Sequence, residues 1–368
     1  MHSESVLPDQ RTSPPSSPIS ILYIGANFGT SRHRAQALRR LGHDVFIIDP
    51  HSFLPKNQLA GLWTWKTGGL FLGDFIRRRV LATIPHQQFD LVLVNGGELV
   101  GPSFVRELKR RFGPVVSYQN DDPFGGRDGR RSRLYLQALR EYDLAVVVRD
   151  CNVMEARTRG ARNVMRVFMS GDELEHAPRE ITREDREKWS SEVLFIGTWM
   201  PERGPFMARL LELGVPLSIY GNRWDRAAEW PLLRQAWRGP GLESEEVYAR
   251  AIQCAKVCLG LLSKENRDMT TQRSFEIPLL GSVLCAERTP EHTALYEENL
   301  EAVFWSTPEE CAEKCTQLLK AAGMREQLAA NGRRRCLQNG TTNEPTMENV
   351  VRKAMIMEKS PIMNIRSA

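Results

Sequence analysis

The stretch with the most chemical promise is Thr271-Gln-Arg273-Ser-Phe275-Glu276-Ile-Pro278-Leu-Leu-Gly281, which sets a guanidinium and a carboxylate three residues apart beside an apolar segment. A carboxylate can accept two hydroxyl hydrogen bonds at once, so a ribose diol would suit Glu276. A helix cap or an ion pair would use it as well. A second cation closes the run Gly197-Thr198-Trp199-Met-Pro-Glu-Arg203-Gly204. A small residue at a strand end, then a forked donor near a helix start, fits a diphosphate. An Arg on a solvated helix face would look the same. Near the N-terminus, Gly25-x3-Gly29-Thr-Ser31 puts glycines where a ligand could approach the backbone, ahead of a helix start that favours anions. It lacks the Gly-x-Gly-x-x-Gly spacing and a Walker lysine, and a tight strand-to-helix turn would also explain it.

Such residues act only if the chain places them at strand ends. Ile19–Ile24 reads as a buried strand, and Ser31 as the N-cap of a helix reaching about Leu41. Further short runs of Val, Ile and Leu predict strands at Val45–Ile48, Leu91–Val94, Val115–Tyr118, Leu144–Val148 and Val164–Phe168. Continuous apolar runs of this kind belong to parallel strands covered on both faces. A charged stretch at about 172–190 interrupts the alternation and marks a domain junction. The pattern then restarts with strands at Val193–Ile196, Leu217–Tyr220, Val257–Leu262, Val283–Ala286 and Ala302–Trp305. Thr307-Pro308-Glu-Glu310 predicts a capped helix to about Ala321. The series implies an α/β protein with two doubly wound, Rossmann-like domains, and ligands bind such sheets beyond the carboxyl ends of the strands. The expected organisation is a tail over 1–18, domains over 19–175 and 176–342, and a last helix from 343 that could cross to the first domain before the end frays.

Composition excludes several classes. The chain has 368 residues, 41% hydrophobic and 26% charged, which suits two soluble domains. No apolar run reaches the roughly 18–20 residues of a membrane span, and no charged-then-apolar leader opens the chain, so a cytoplasmic location is expected. Ten of the 50 basic residues are Lys; the remaining Arg are spread along the chain, a bias that reads as codon usage of a GC-rich genome rather than as a nucleic-acid-binding face. Of seven cysteines, six lie at or after Cys254. The pairs Cys254/Cys258 and Cys311/Cys315 would each share a helix face if helical, and reduced core thiols are expected rather than a zinc site. The 59–84 stretch carries Trp63, Trp65, Phe71, Leu72 and Phe75 before Arg77-Arg-Arg79. It reads first as a core-facing helix and second as a peripheral membrane contact.

Thr271 to about Cys336 resembles the C-terminal domain of GT-B glycosyltransferases, and more narrowly the CgeB-like, spore-protein type group. The shared string is Thr271, Arg273, Phe275, Glu276, Ile277 and Gly281, then Glu287, Arg288, Thr289, Glu291 and His292, closing on Gly332, Arg333 and Arg335. The Gly197–Arg203 turn and Gly221-Asn-Arg-Trp224 resemble it too. The N-terminal half matches in general layout, including Asn120-Asp121-Asp122-Pro123 after a strand. The resemblance implies two Rossmann-like domains facing across a cleft, the C-terminal one for a nucleotide-sugar donor and the N-terminal one shaping the acceptor site. It implies that Glu276 holds the ribose, that Arg203 and Arg273 hold the diphosphate, and that Gly197, Thr198 and Gly25 allow close approach. Glu291 and His292 would contact the donor or serve a helix start. Fixed Arg groups can stabilise a leaving diphosphate without a metal, and no Asp-x-Asp motif is present, so neither metal nor cofactor is expected.

Many retaining members carry Glu-x7-Glu, and here the first position is Asp268. If the reaction instead inverts, Asp121, Asp122 or His33 would be the base; Asp121-Asp122-Pro123 could equally cap a turn, and His33 sit exposed on a helix. The expected function is transfer of a sugar from a nucleoside-diphosphate donor to an acceptor hydroxyl on a glycan, lipid-linked, protein or small-molecule partner. The alternatives are a non-catalytic nucleotide-sugar binder and a sugar-nucleotide epimerase on the same fold.

Overall fold

The computed structural model describes residues 17–55, 57–69, 71–125, 131–242 and 244–359. The tail expected over 1–18 falls outside them except at its last two positions, as do residues 360–368 and the Trp65 side chain.

Among the described residues, twelve strands form two six-stranded sheets. The first holds β1 (Ser20–Ile24), β2 (Asp44–Ile48), β3 (Leu91–Asn95), β4 (Val115–Gln119), β5 (Leu144–Val147) and β6 (Val164–Arg166) in the order β2-β1-β3-β4-β5-β6. The second holds β7 (Ser191–Ile196), β8 (Leu217–Tyr220), β9 (Trp237–Gly239), β10 (Ala255–Gly260), β11 (Leu284–Glu287) and β12 (Val303–Trp305) in the order β12-β11-β10-β7-β8-β9. Every pairing is parallel. Counted from β7, the second sheet has the 3-2-1-4-5-6 order of a dinucleotide-binding fold read from its other edge. In each sheet the order reverses beside the first strand, at β1/β3 and at β7/β10.

The chain divides into two compact units. The N-terminal unit comprises the described parts of Thr12–Phe168 and Asn343–Ala368 with Glu265–Arg267; the C-terminal unit includes Met169–Lys264 and Asp268–Thr342. The charged stretch read as a junction therefore lies inside the C-terminal unit, where Arg183–Trp189 is helical behind a Thr182–Asp185 capping box. The Asn343–Lys359 helix packs against the Gly29–Arg40 helix within the N-terminal unit.

Each sheet is apolar through its middle because helices cover both faces. Leu22, Ile24, Val92 and Val94 join Ile76, Val80, Phe104 and Leu108 in one core. Val193, Phe195, Leu217 and Ile219 join Met207, Leu210, Cys311 and Leu318 in the other.

Three local expectations are corrected. The first helix spans Gly29–Arg40 with Phe28 as N-cap and no side-chain cap. Ser31 is drawn instead to Tyr23, whose hydroxyl donates to the Ser31 carbonyl at 2.8 Å. Strand β9 lies outside the predicted runs, since Trp-Arg-Gly offers no apolar pattern and an edge strand needs only one partner. Cys254 and Cys258 do not share a helix face: Cys254 ends the Glu245–Gln253 helix and Cys258 lies in β10.

Candidate functional site

The C-terminal unit gathers its polar side chains where β7 and β10 end. The Arg273–Leu279 helix carries Glu276, and His176 reaches it from the chain that leads into β7. Glu276 is 4% exposed. Its Oε2 accepts from the Tyr248 hydroxyl and from Arg273 Nη1 at 3.3 Å. His176 Nε2 lies 3.6 Å from its Oε1. The Asp172 N–H donates to His176 Nδ1 at 2.8 Å, so the ring proton sits on Nε2, facing the carboxylate. Burial pushes the Tyr248 phenol well up, keeping it a donor. Arg273 Nε donates to the Ile196 carbonyl at 3.3 Å, which ties this group to the end of β7.

Arg203 is buried and holds the switch point together. Nη1 donates to the Thr198 carbonyl at 2.7 Å, and Nη2 to the carbonyls of Leu261 and Leu262 at 3.2 and 3.3 Å. The guanidinium thus clamps the chain leaving β7 to the chain leaving β10. Gly197 sits in the same turn, and Trp224 Nε1 donates to its carbonyl at 3.0 Å. A Cβ at Gly221 would come within 1.9 Å of that carbonyl oxygen, which explains the glycine in Gly221-Asn-Arg-Trp224.

Glu291 and His292 part company. Glu291 Oε2 accepts from Thr270 at 3.2 Å. His292 is fully buried. Its Nδ1 meets the Glu287 carbonyl and its Nε2 the Ser274 hydroxyl, both at 2.7 Å. A carbonyl only accepts, so Nδ1 carries the proton and Ser274 donates to Nε2. Burial drops the ring's pKa to about 4. His292 is therefore a neutral strut between β11 and the Glu276 helix. Asp268 is 9% exposed, with its N–H donating to the Ser263 carbonyl at 3.2 Å.

The N-terminal unit has its own cavity, of about 530 Å³, at the ends of β1, β3 and β4. Gly25 and Asp121 line it; His33 and Asp122 do not. His33 is buried on its helix rather than exposed. Asp122 is fully buried and saturated: it accepts from the N–H groups of Phe124 and Gly125, from Asn152, and from Arg267 through two nitrogens. Burial alone would raise its carboxyl, but the Arg267 and Asn152 bonds outweigh that and hold it low. The Asp121 side chain is 41% exposed and 3.3 Å from Arg131. Of the three acceptor-side candidates, Asp121 alone presents a carboxylate to the cavity.

Sequence reasoning missed Tyr248, His176, Arg267 and Arg34. Tyr248 and His176 carry no local signal, because each reaches its partner from a distant element. Among the described residues, Cys285, Cys311 and Cys315 bring their sulfurs within 4.8 Å of one another inside the core, the one cluster of three or more metal-capable side chains.

The fold and the strand-end polar groups define an α/β protein of GT-B type, with two Rossmann-like sheets. Residues 203–351 match a family model described as glycosyl transferase-like. Solved structures of the same fold include sucrose-phosphate synthase from Thermosynechococcus elongatus, 14% identical, with a TM-score of 0.66 over 92% of this chain and 99% of that one. A trehalose-phosphate synthase from Burkholderia xenovorans is 11% identical, with a TM-score of 0.61 over 94% and 100%. The Anabaena protein HepE, solved with UDP and glucose, is 11% identical, with a TM-score of 0.59 over 92% and 99%. No curated protein matches the chain by sequence. Among the described residues no helix is long and apolar enough to cross a membrane.

Proposed function

We propose that this chain is a glycosyltransferase that moves a sugar from a nucleoside-diphosphate donor to an acceptor hydroxyl without a metal ion. The observation that carries the reading is the buried Glu276 carboxylate, held by Tyr248 and Arg273 at the end of β7 inside the segment matched by the glycosyl transferase-like family model. In this reading Glu276 accepts both ribose hydroxyls. Arg273, anchored on Ile196, presents charge to the diphosphate as negative charge grows on it. Arg203 acts through the backbone, fixing the Gly197–Thr198 turn against which the donor packs. The UDP and glucose bound by HepE support a donor of this class, and the string from Thr271 to Arg335 supports the CgeB-like group. Asp268 takes the position near the donor sugar, and Asp121 is the base if the reaction inverts.

Exposed Leu59, Leu62, Trp63, Phe71 and Phe75 beside Arg78 and Arg79 favour a peripheral membrane contact over the core-facing helix, although Ile76, Val80 and Leu81 of the same stretch are buried. Sedimentation with anionic vesicles checks it; no binding removes it.

Thermal unfolding with UDP, GDP, TDP, ADP and CMP, and with the matching sugar nucleotides, tests the transferase reading. A nucleotide at 100 times its Kd stabilises by about 2.7 kcal/mol. One base should stand out in chelator-treated protein, and acceptor-dependent release of the nucleoside diphosphate should follow. No shift with any nucleotide overturns the reading.

A further inference from the structure

The cavity of the N-terminal unit contains a cation in an unusual state. Arg34 is 0% exposed and lines the cavity. Nη1 donates to Asn95 Oδ1 at 3.0 Å and Nη2 to Asn120 Oδ1 at 2.9 Å, while the guanidinium carbon lies 4.3 Å from the centre of the Tyr118 ring. Its Nε–H has no partner among the described residues. Each of these neighbours is neutral. Arg34 therefore sits buried among neutral partners, with no described carboxylate in contact, a costly arrangement unless an anion arrives.

The other ionised groups around the cavity are already matched. His51 Nδ1 lies 3.5 Å from Asp49, and its Nε2 lies 3.5 Å from Glu98. Arg131 pairs with Glu98 and Asp121. The Gly29–Arg40 helix opens on the same cavity, through Gly29, Thr30 and Ser31, and its N-terminal end favours negative charge.

We propose that this cavity binds an oxyanion, a carboxylate or a phosphate monoester, at Arg34. As a statement about substrate the assignment rests on the transferase reading: the acceptor is then an anionic molecule, seated by its charge at Arg34 with a hydroxyl toward Asp121. Two neutral Asn carboxamides fix the plane of the guanidinium, which suits a flat or forked oxyanion rather than a neutral sugar.

Calorimetric titration of the full chain with inorganic phosphate, glucose 6-phosphate, glucuronate and glucose tests it, at matched ionic strength. Saturable binding of an anion at least about tenfold tighter than glucose is expected for a charge-assisted contact. Phosphate and carboxylate arms tell the two sources apart. Arg34→Gln should abolish that preference and Arg34→Lys should keep part of it, with nucleotide binding to both variants unchanged as the check on folding. Equal binding of glucose, or no anion binding to the wild-type chain, overturns the proposal even if Arg34→Gln does not fold. Nucleotide binding without anion binding sinks this inference alone. Anion binding without nucleotide binding sinks the transferase reading and leaves the oxyanion site standing.

Discussion

Both units place an Arg on the helix that follows their first strand, and they treat it in opposite ways. Arg203 gives its guanidinium to three backbone carbonyls at the β7/β10 switch point. Arg34, at the β1/β3 switch point, meets two Asn side chains and the Tyr118 ring at the wall of a cavity. The first Arg ties two backbone segments together; the second is fixed by side chains beside a cavity. Histidines divide the same way. His292 is held neutral in the C-terminal unit, its pKa down at about 4 through burial. His51 in the N-terminal unit is raised to about 9, first by Asp49 and then by Glu98, and stays charged at neutral pH. A cation at a strand end therefore says little about ligand binding until its hydrogen-bond partners are known.

The contrast is most exposed to Arg203→Met. Two buried carbonyls and one half-buried carbonyl would lose this donor, and the loss should be about 3–5 kcal/mol of unfolding free energy in urea. A loss under about 1 kcal/mol would erase the distinction between the two arginines.

Acid stability comes next. A neutral buried His contributes fully above pH 6.5, because the unfolded chain takes up a proton below that pH and the folded chain refuses it. That stability should fall as pH drops from 6.5 to about 4, by at most about 3 kcal/mol, and then level off. His292→Gln should flatten this limb. His51 has the opposite sign: its contribution is present below pH 6.5 and lost as pH rises through about 9. Solvent around its half-exposed ring keeps that alkaline limb the shallower of the two, and an acid limb unchanged in His292→Gln would remove the neutral-strut account.

Glu276→Ala should weaken nucleotide binding by about 10²-fold, the loss expected for two charge-assisted hydrogen bonds. Glu276→Gln, which keeps the volume, separates that effect from disturbance of Tyr248 and His176. Unchanged affinity in a folded variant removes the ribose assignment.

The smallest effect is expected at Arg34→Met without anion present. Replacing an uncompensated buried cation with an apolar chain should change stability by about 1 kcal/mol or less, in either direction. A loss as large as that of Arg203→Met would show that Arg34 is structural too.

Eleven of the twelve strands are legible as apolar runs, because parallel strands covered on both faces must be apolar throughout. Glu276 and Arg273 are legible as a pair, since three residues along a helix bring side chains to one face. The Thr307 cap is legible as well, and its hydroxyl accepts from the Glu310 N–H at 3.1 Å. Ser31 misleads, because Tyr23 competes for the group a cap would have used.

The sequence by itself determined the alternation of elements, the two-sheet α/β class and the chemistry available at each strand end. Those follow from local patterns, read within a few residues. Which of those groups remain open to a ligand was decided only by the tertiary structure. Asp121 and Asp122 are adjacent in the chain, yet Arg267, 145 positions from Asp122, closes one and leaves the other facing a cavity. Burial and hydrogen-bond satisfaction depend on every element packed around a group, and no local pattern encodes them.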